Sequence, residues 1–279
     1  MIRVILQGRT GNNLFQYAAG RALALRHDTE LILDGSWADA GHARQFAQLL
    51  RLPIEARFER RFTLAKRALR KTTGLGPGHL HRGPVIIDRP GSPVPDLQAA
   101  PDRSLLIGFF QSPLHFAGIE PSLRRELDLS RLNLPTHSLR FEEDLKSSPT
   151  VSIHVRRGDY LRIGATQCLG EDYHDRALAW FRERFQNLHF CVFSDDIPWC
   201  RQRFQGDEFL FCDFPEAAAD PFHDMRLMAA CHHHIIVNSS YSWWGAWLDP
   251  NPAKCVVAPK MWMKSTPTES IVPGDWRML

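Results

Sequence analysis

The run Val151-Ser152-Ile153-His154-Val155-Arg156-Arg157-Gly158-Asp159-Tyr160 decides how the second half of this chain is read. A short apolar strand ends abruptly in two arginines, a glycine and a carboxylate. Guanidinium groups are permanently charged and match phosphate oxygens bidentately, so paired arginines at the end of a buried strand predict a site for an anionic leaving group. An ordinary surface needs no such arrangement.

Working outward from this run, residues 146 onward alternate regularly. Strands are predicted at 150–155, 188–193, 208–212, 234–237 and 254–258, with helices near 172–186, 196–204, 221–231 and 240–248 between them. Strands separated by helical segments of this length form a parallel sheet. Upstream, Ile2 to Leu6 reads as a buried strand, followed by Gly8, Gly11 and a helix from about Asn12 to Arg26 with apolar positions at Leu14, Ala18 and Leu25. Further strands are expected at Leu31 to Leu33, Val85 to Ile87 and Leu105 to Phe110, which makes the first half α/β as well. Gly74 to Gly78 and Arg89 to Pro101 are rich in Gly and Pro and predict loops. Lys146-Ser147-Ser148-Pro149 marks the expected boundary, giving domains 1–146 and 147–279.

With 279 residues the chain can bury a large core in two domains of ordinary size. A formal net charge of +3 is too small to predict nucleic-acid binding, and no nucleic-acid partner is expected. The six cysteines (Cys168, Cys191, Cys200, Cys212, Cys231, Cys255) contain no CxxC pair and sit in or beside apolar runs, as buried free thiols do in a reducing compartment. No apolar stretch approaches the ~18 residues of a membrane span. A cytoplasmic location follows as the expectation. Arg57 to Lys71 interleaves Arg57, Arg60, Arg61, Lys66, Arg67, Arg70 and Lys71 with Phe58, Phe62, Leu64, Ala68 and Leu69, which reads as a basic amphipathic helix. It is either a solvated face or a peripheral contact to an anionic inner-membrane surface or a lipid-linked acceptor.

In open α/β sheets the ligand crevice lies outside the carboxyl ends of the strands, so polar groups that immediately follow strands are the candidates for a site. Three sets occur in the second half: His154 with Arg156, Arg157 and Asp159; Ser194 with Asp195 and Asp196; Asn238 with Ser239 and Ser240. They should converge on one rim. Ser239 and Ser240 open a helix, where they serve either as plain caps or as part of a phosphate cradle built from free N–H groups and the helix dipole. Asp195 and Asp196 either hold a divalent cation, cap the following helix or hold the arginines in place. His232-His233-His234 points to alternating faces of a strand, which argues against a metal set. Asp224 either complements a helix dipole or accepts hydrogen bonds from a purine edge with adjacent N–H donors. Trp243, Trp244 and Trp247 are spaced for one helix and are expected in the core. Gly8-Arg9-Thr10-Gly11-Asn12-Asn13 lacks the GxGxxG spacing and the P-loop ending, so a nicotinamide or nucleoside-triphosphate site is disfavoured. It leaves a loop of small and amide side chains, Asn12 and Asn13 among them, facing a polar substrate.

Four ordered motifs resemble those of the α-1,2-fucosyltransferase family: residues 11–18 (Gly11-Asn12-Asn13-Leu14-Phe15-Gln16-Tyr17-Ala18), 154–160, 193–196 and 238–248. Ala258-Pro259-Lys260-Met261-Trp262 and Pro273-Gly274-Asp275-Trp276 resemble its C-terminal signature. The resemblance implies a GT-B type enzyme with two facing Rossmann-like α/β domains, 1–146 on the acceptor side and 147–279 binding GDP-β-L-fucose. It implies inversion at the anomeric carbon, no required metal or other cofactor, and transfer to the 2-OH of a terminal galactose. In that reading His154 and Asp224 hold the guanine, Arg156 and the helix start at Ser239 and Ser240 take the β-phosphate, and Arg157 organises the loop through Asp159 or Asp195. Asp159 is the expected general base. The first motif departs from the usual Gly-Asn-Gln of the family at Asn13, and no glutamate occurs between Tyr160 and Gly170. The rival readings are a sugar-nucleotide transferase of different donor or linkage, and a non-catalytic module that binds nucleotides or anionic glycans.

Overall fold

β1 (Ile2–Ile5) is a short buried strand that ends in a turn where Gly8 adopts φ +72°. That left-handed conformation favours glycine, and a β-carbon there would collide with Asn12. α1 (Thr10–Arg26) then folds back on the strand, burying Leu14, Phe15, Tyr17, Ala18, Ala19 and Leu23. Gly20 permits the close approach, because a β-carbon would meet Val4 Cγ2 at 2.6 Å and Leu31 Cδ1 at 2.8 Å. In this computed structural model the described residues are all except 38–45, 60–75, 90–95, 164–168, 170–171 and 264–265.

The first unit, Met1–Asp128, continues with β2 (Leu31–Asp34), β3 (Arg57–Glu59), β4 (Val85–Ile87) and β5 (Leu105–Ile107). These form a five-stranded parallel sheet in the order β3-β2-β1-β5-β4. The expected helix at 57–71 is corrected at its start: Arg57, Phe58 and Glu59 pair with Ile32, Leu33 and Asp34 as an edge strand. Local charge periodicity loses to the hydrogen bonds that β2 offers there. Residues 60–71 lie outside the described residues. Within the stretch read as a loop at 74–78, Pro77 starts the single turn of α2 (Pro77–Leu80). α3 (Glu120–Glu126) closes the unit, and its Glu126 accepts hydrogen bonds from Tyr17 and Arg21 of α1.

The second unit, Leu129–Leu279, begins with α4 (Thr136–Ser147), so the division falls upstream of the expected 146/147 boundary. The reason is packing. Leu134, Phe141 and Leu145 join Cys191, Phe193 and Leu227 in one apolar cluster, and Glu142 pairs with Arg226 at 2.7 Å. After α4 the chain runs through β6 (Thr150–Val155), α5 (Gly158–Ile163), α6 (Tyr173–Arg182), β7 (His189–Ser194), α7 (Ile197–Arg203) and β8 (Phe209–Phe211). It then returns through α8 (His223–Ala229), β9 (His233–Ile235), α9 (Ser240–Leu248) and β10 (Val256–Ala258). A small antiparallel pair, β11 (Met261–Met263) with β12 (Thr266–Pro267), precedes the final strand β13 (Arg277–Met278). The sheet is parallel with order β13-β10-β9-β6-β7-β8.

Strand β6 is buried at every position, as expected for a central strand covered on both faces. Trp243 and Trp244 are fully buried, and Trp243 donates from Nε1 to Ile271 O at 2.8 Å, so these rings are core. The five described cysteines are free, four of them buried; Cys168 lies outside the described residues. Among the described residues no helix is long and apolar enough to cross a membrane.

Candidate active site

The chain builds β6, β7 and β8 in one direction across the second sheet, then crosses to build β9, β10 and β13 in the other. The order therefore reverses between β6 and β9, and in sheets of this kind ligands bind beyond the carboxyl ends of two such neighbours. β6 itself carries His154 near its end, and the turn after it carries Arg156 and Arg157. The loop after β9 carries Asn238 and Ser239, and Ser240 opens the following helix α9.

The two arginines do different work. Arg157 donates its backbone N–H to Asp195 Oδ1 (2.8 Å) and its Nε to Asp196 Oδ2 (3.0 Å), while its guanidinium lies 3.9 Å from the ring centroid of Trp199. It braces the loop, with Asp196 as the partner of its guanidinium. Arg156 meets Asp195 Oδ2 through Nε at 3.3 Å and lies 5.6 Å from the Tyr160 ring centroid. Tyr160 in turn donates to the Asn238 carbonyl at 2.9 Å, tying α5 to the β9 loop. In the structure Asp195 and Asp196 meet the two arginines, and Asp196 caps a helix as well. Asp196 Oδ1 also accepts from Trp199 N at 3.2 Å as the N-cap of α7, and Ser194 Oγ accepts from Asp196 N at 2.9 Å.

Ser239 caps α9, its Oγ accepting from Tyr241 N at 3.3 Å. Ser240 is the first residue of that helix and is partly exposed. His154 is buried, its ring 5.9 Å from that of Tyr241. Burial, followed by the nearby charge of Arg156, pushes its pKa down to about 3, so the imidazole is neutral. Its Nδ1 is a buried nitrogen without a hydrogen bond in the structure. Burial, followed by the nearby charge of Asp224, raises the Tyr241 pKa well above the ordinary tyrosine value.

Asp224 stands at the second position of α8, and its Oδ1 lies 2.8 Å from His223 Nδ1 and 3.4 Å from Cys212 Sγ. The three candidate ligand atoms lie within 4.8 Å of one another, and hydrogen bonding already connects them. Asp159 occupies the second position of α5, and its side chain lies outside the described residues. The histidine run divides as its alternation predicts. His232 faces Thr150 Oγ1 at 3.1 Å, His233 Nδ1 accepts from Cys255 N at 3.0 Å, and His234 bridges Ser152 and Asp249.

In the first unit the order reverses between β1 and β5. Asn12 Oδ1 accepts from Gln111 Nε2 at 2.6 Å, linking the first turn of α1 to the segment after β5 at that point. Asn13 corrects the expectation that it faces a substrate: it is fully buried, and its Nδ2 donates to Gln7 O (2.9 Å) and Gln16 Oε1 (3.1 Å). Gln16, unassigned from sequence, spans the same gap by accepting from Gln7 N (3.2 Å) and donating to Gly108 O (2.7 Å). Sequence reading assigned no role to Tyr160, which closes the 154–160 motif, and passed over Trp199 and His223, which lie three residues after Asp196 and directly before Asp224.

A crystal structure of NodZ α-1,6-fucosyltransferase soaked with GDP-fucose superposes with a TM-score of 0.50 at 15% identity, covering 89% of this chain and 92% of that one. The fold, with its two parallel sheets, is thus of GT-B type. Residues 101–278 match the sequence profile of glycosyl transferase family 11, which is well over half the chain. An α-1,2-colitosyltransferase of Escherichia coli is 30% identical over 292 residues, 96% of this chain and 94% of that protein. Galactoside α-(1,2)-fucosyltransferase 1 of Sus scrofa is 35% identical over 135 residues, which is 45% of this chain and 35% of that protein. The chain belongs to glycosyl transferase family 11.

Proposed function

We propose that the protein transfers a 6-deoxy sugar, L-fucose, from GDP-β-L-fucose to the 2-OH of a terminal galactose with inversion at the anomeric carbon. The observation that carries this reading is the pairing of Arg156 and the start of α9 on the neighbouring strands β6 and β9, at the point where the strand order reverses. Charge building on the departing β-phosphate is met there by a guanidinium and by the N–H groups of a capped helix. His154 and Asp224 hold the guanine, with Ser194 and Asp195 beside them and Arg157 fixing the loop. A neutral His154 suits contact with an uncharged base.

Reaction is a single displacement through an oxocarbenium-like transition state. Asp159 takes the proton of the acceptor hydroxyl as the carbon–oxygen bond forms and the bond to phosphate breaks. Arg156 replaces a metal, and Asp195 and Asp196 bind arginines rather than a cation in this reading. The acceptor is the galactose end of a bacterial-type surface glycan, lipid-linked or free, met by the Asn12 side of the first unit in the cytoplasm. Supplying GDP-fucose and a panel of terminal galactosides to the pure protein, and locating the new linkage by NMR, tests the reading. An α-1,2-linked fucosyl product is expected, with GDP and not UDP competing; no product from any galactoside refutes it.

The likeness to an α-1,2-colitosyltransferase along nearly the whole chain favours a second donor, GDP-colitose, whose sugar is fucose lacking one hydroxyl. Comparing kcat/KM for the two donors decides between them.

A further inference from the structure

The Asp224 carboxylate is held by a buried chain that starts outside the site. Ser138 on α4 is fully buried, with Oγ 2.8 Å from His223 Nε2. His223 is fully buried too, its Nδ1 lies 2.8 Å from Asp224 Oδ1, and its ring packs edge-on against Phe214 with centroids 5.5 Å apart. An ionised carboxylate can only accept hydrogen bonds, so the His223 proton belongs on Nδ1 and the Nε2 lone pair accepts from the Ser138 hydroxyl. The Cys212 thiol donates to the same oxygen at 3.4 Å. Asp224 Oδ1 is therefore engaged from behind, while the carboxylate side chain keeps 14% of its surface exposed.

We propose that His223 and Ser138 are positioning residues for nucleotide-base recognition: they hold the Asp224 carboxylate in one orientation, so that it accepts from the adjacent N–H donors of a guanine edge. The inference rests on the reading of Asp224 as the base acceptor. Asn places an amide nitrogen near the Nδ1 position of histidine, and Gln places one near Nε2. His223→Asn thus retains a donor toward Asp224, whereas His223→Gln retains only the contact with Ser138.

Binding of GDP and of inosine diphosphate, which lacks the guanine amino group, is measured by calorimetry for wild type, Asp224→Asn, His223→Gln, His223→Asn and Ser138→Ala. Donor KM and kcat are measured alongside, and thermal unfolding identifies the folded variants. Wild type should prefer GDP about tenfold, the worth of one hydrogen bond to a charged group. His223→Gln should raise the GDP Kd and the donor KM about tenfold, leave kcat within about twofold, and bring the GDP-to-inosine-diphosphate preference close to one. His223→Asn should restore most of that preference, and Ser138→Ala should lose about threefold of it. If His223→Gln does not fold, the preference in Ser138→Ala decides. A wild-type preference in His223→Gln, or in Ser138→Ala where that variant decides, overturns the positioning role. So does an equal loss for both nucleotides that His223→Asn does not repair. An unchanged preference in Asp224→Asn instead removes the base-recognition reading beneath it.

Discussion

Replacing the two neighbouring arginines one at a time should give very different enzymes. Arg156→Ala removes the guanidinium assigned to the leaving phosphate, and the loss of one such donor lowers turnover by about 10²–10³, or roughly 3–4 kcal/mol of transition-state stabilisation. Arg156→Lys keeps the charge without the planar fork and should fall between, at about tenfold. Arg157→Ala loses an ion pair to Asp196 whose side chains are 24% and 36% exposed, worth about 0.5–1 kcal/mol. It also loses the stacking on Trp199 at 3.9 Å, worth about 0.5–1 kcal/mol. The sum, about 1–2 kcal/mol, should appear as a lower melting temperature and only a few-fold change in rate. The assay is initial-rate release of GDP in the presence of a galactoside, with GDP affinity and thermal unfolding measured on the same preparations. Equal losses of kcat in the two alanine variants, or Arg156→Ala within about fivefold of wild type, would refute the division of labour.

Gly158→Ala should reduce turnover without unfolding the protein, because the new β-carbon would sit 2.8 Å from Asp195 Oδ2 and displace the carboxylate that holds Arg156; an Asp195→Asn change that costs nothing would contradict this. Arg226→Ala should destabilise the second unit by about 1.5–3 kcal/mol in urea unfolding, since it removes the charged hydrogen bonds to Glu142 Oε2, leaving Lys146 as the remaining partner of that carboxylate, and strips the donor from the Leu132 carbonyl. Burial of Glu142 would raise its pKa, but hydrogen bonds from Arg226 and Lys146 outweigh burial and hold it below the ordinary carboxylate value. A depressed folded-state pKa means this stability is present above the unfolded value near 4.5 and is lost as pH falls through the folded one, so Glu142→Gln should flatten the acid limb of an unfolding curve against pH. Activity should persist in EDTA; complete loss restored by manganese would return Asp195 and Asp196 to a cation.

The second sheet was legible because its strands are short apolar runs spaced by helices, a pattern that tertiary contacts reinforce. Each expected strand there lies within a few residues of an observed one, and the tryptophans fell in the core as their spacing required. The segment at 57–59 misled because charge interleaving describes a helix face, whereas strand formation there is set by a partner distant in sequence. The boundary misled for the same reason: nothing local announces that α4 packs on Phe193 and Leu227. Asn13 looked like a substrate amide, yet its donors serve the turn that carries it. The charged residues of the site were legible as types, but which aspartate meets which arginine depends on loop geometry. His223 was hidden in plain view beside Asp224, because its partner Ser138 lies far upstream.

The pairing of β6 with β7 runs from Thr150 with His189 to Val155 with Ser194, and counting one step further places Arg156 opposite Asp195 and Arg157 opposite Asp196. Both matches are made. Two successive charge matches thus extend the ladder past its last backbone bond and act as a key to strand alignment. Sliding β7 by one residue would exchange the side chains that pack on its two faces, Phe190 and Val192 on one and Cys191 and Phe193 on the other, and leave one arginine facing the wrong partner, so the groups assigned to the sugar nucleotide also check that the sheet has been assembled in step.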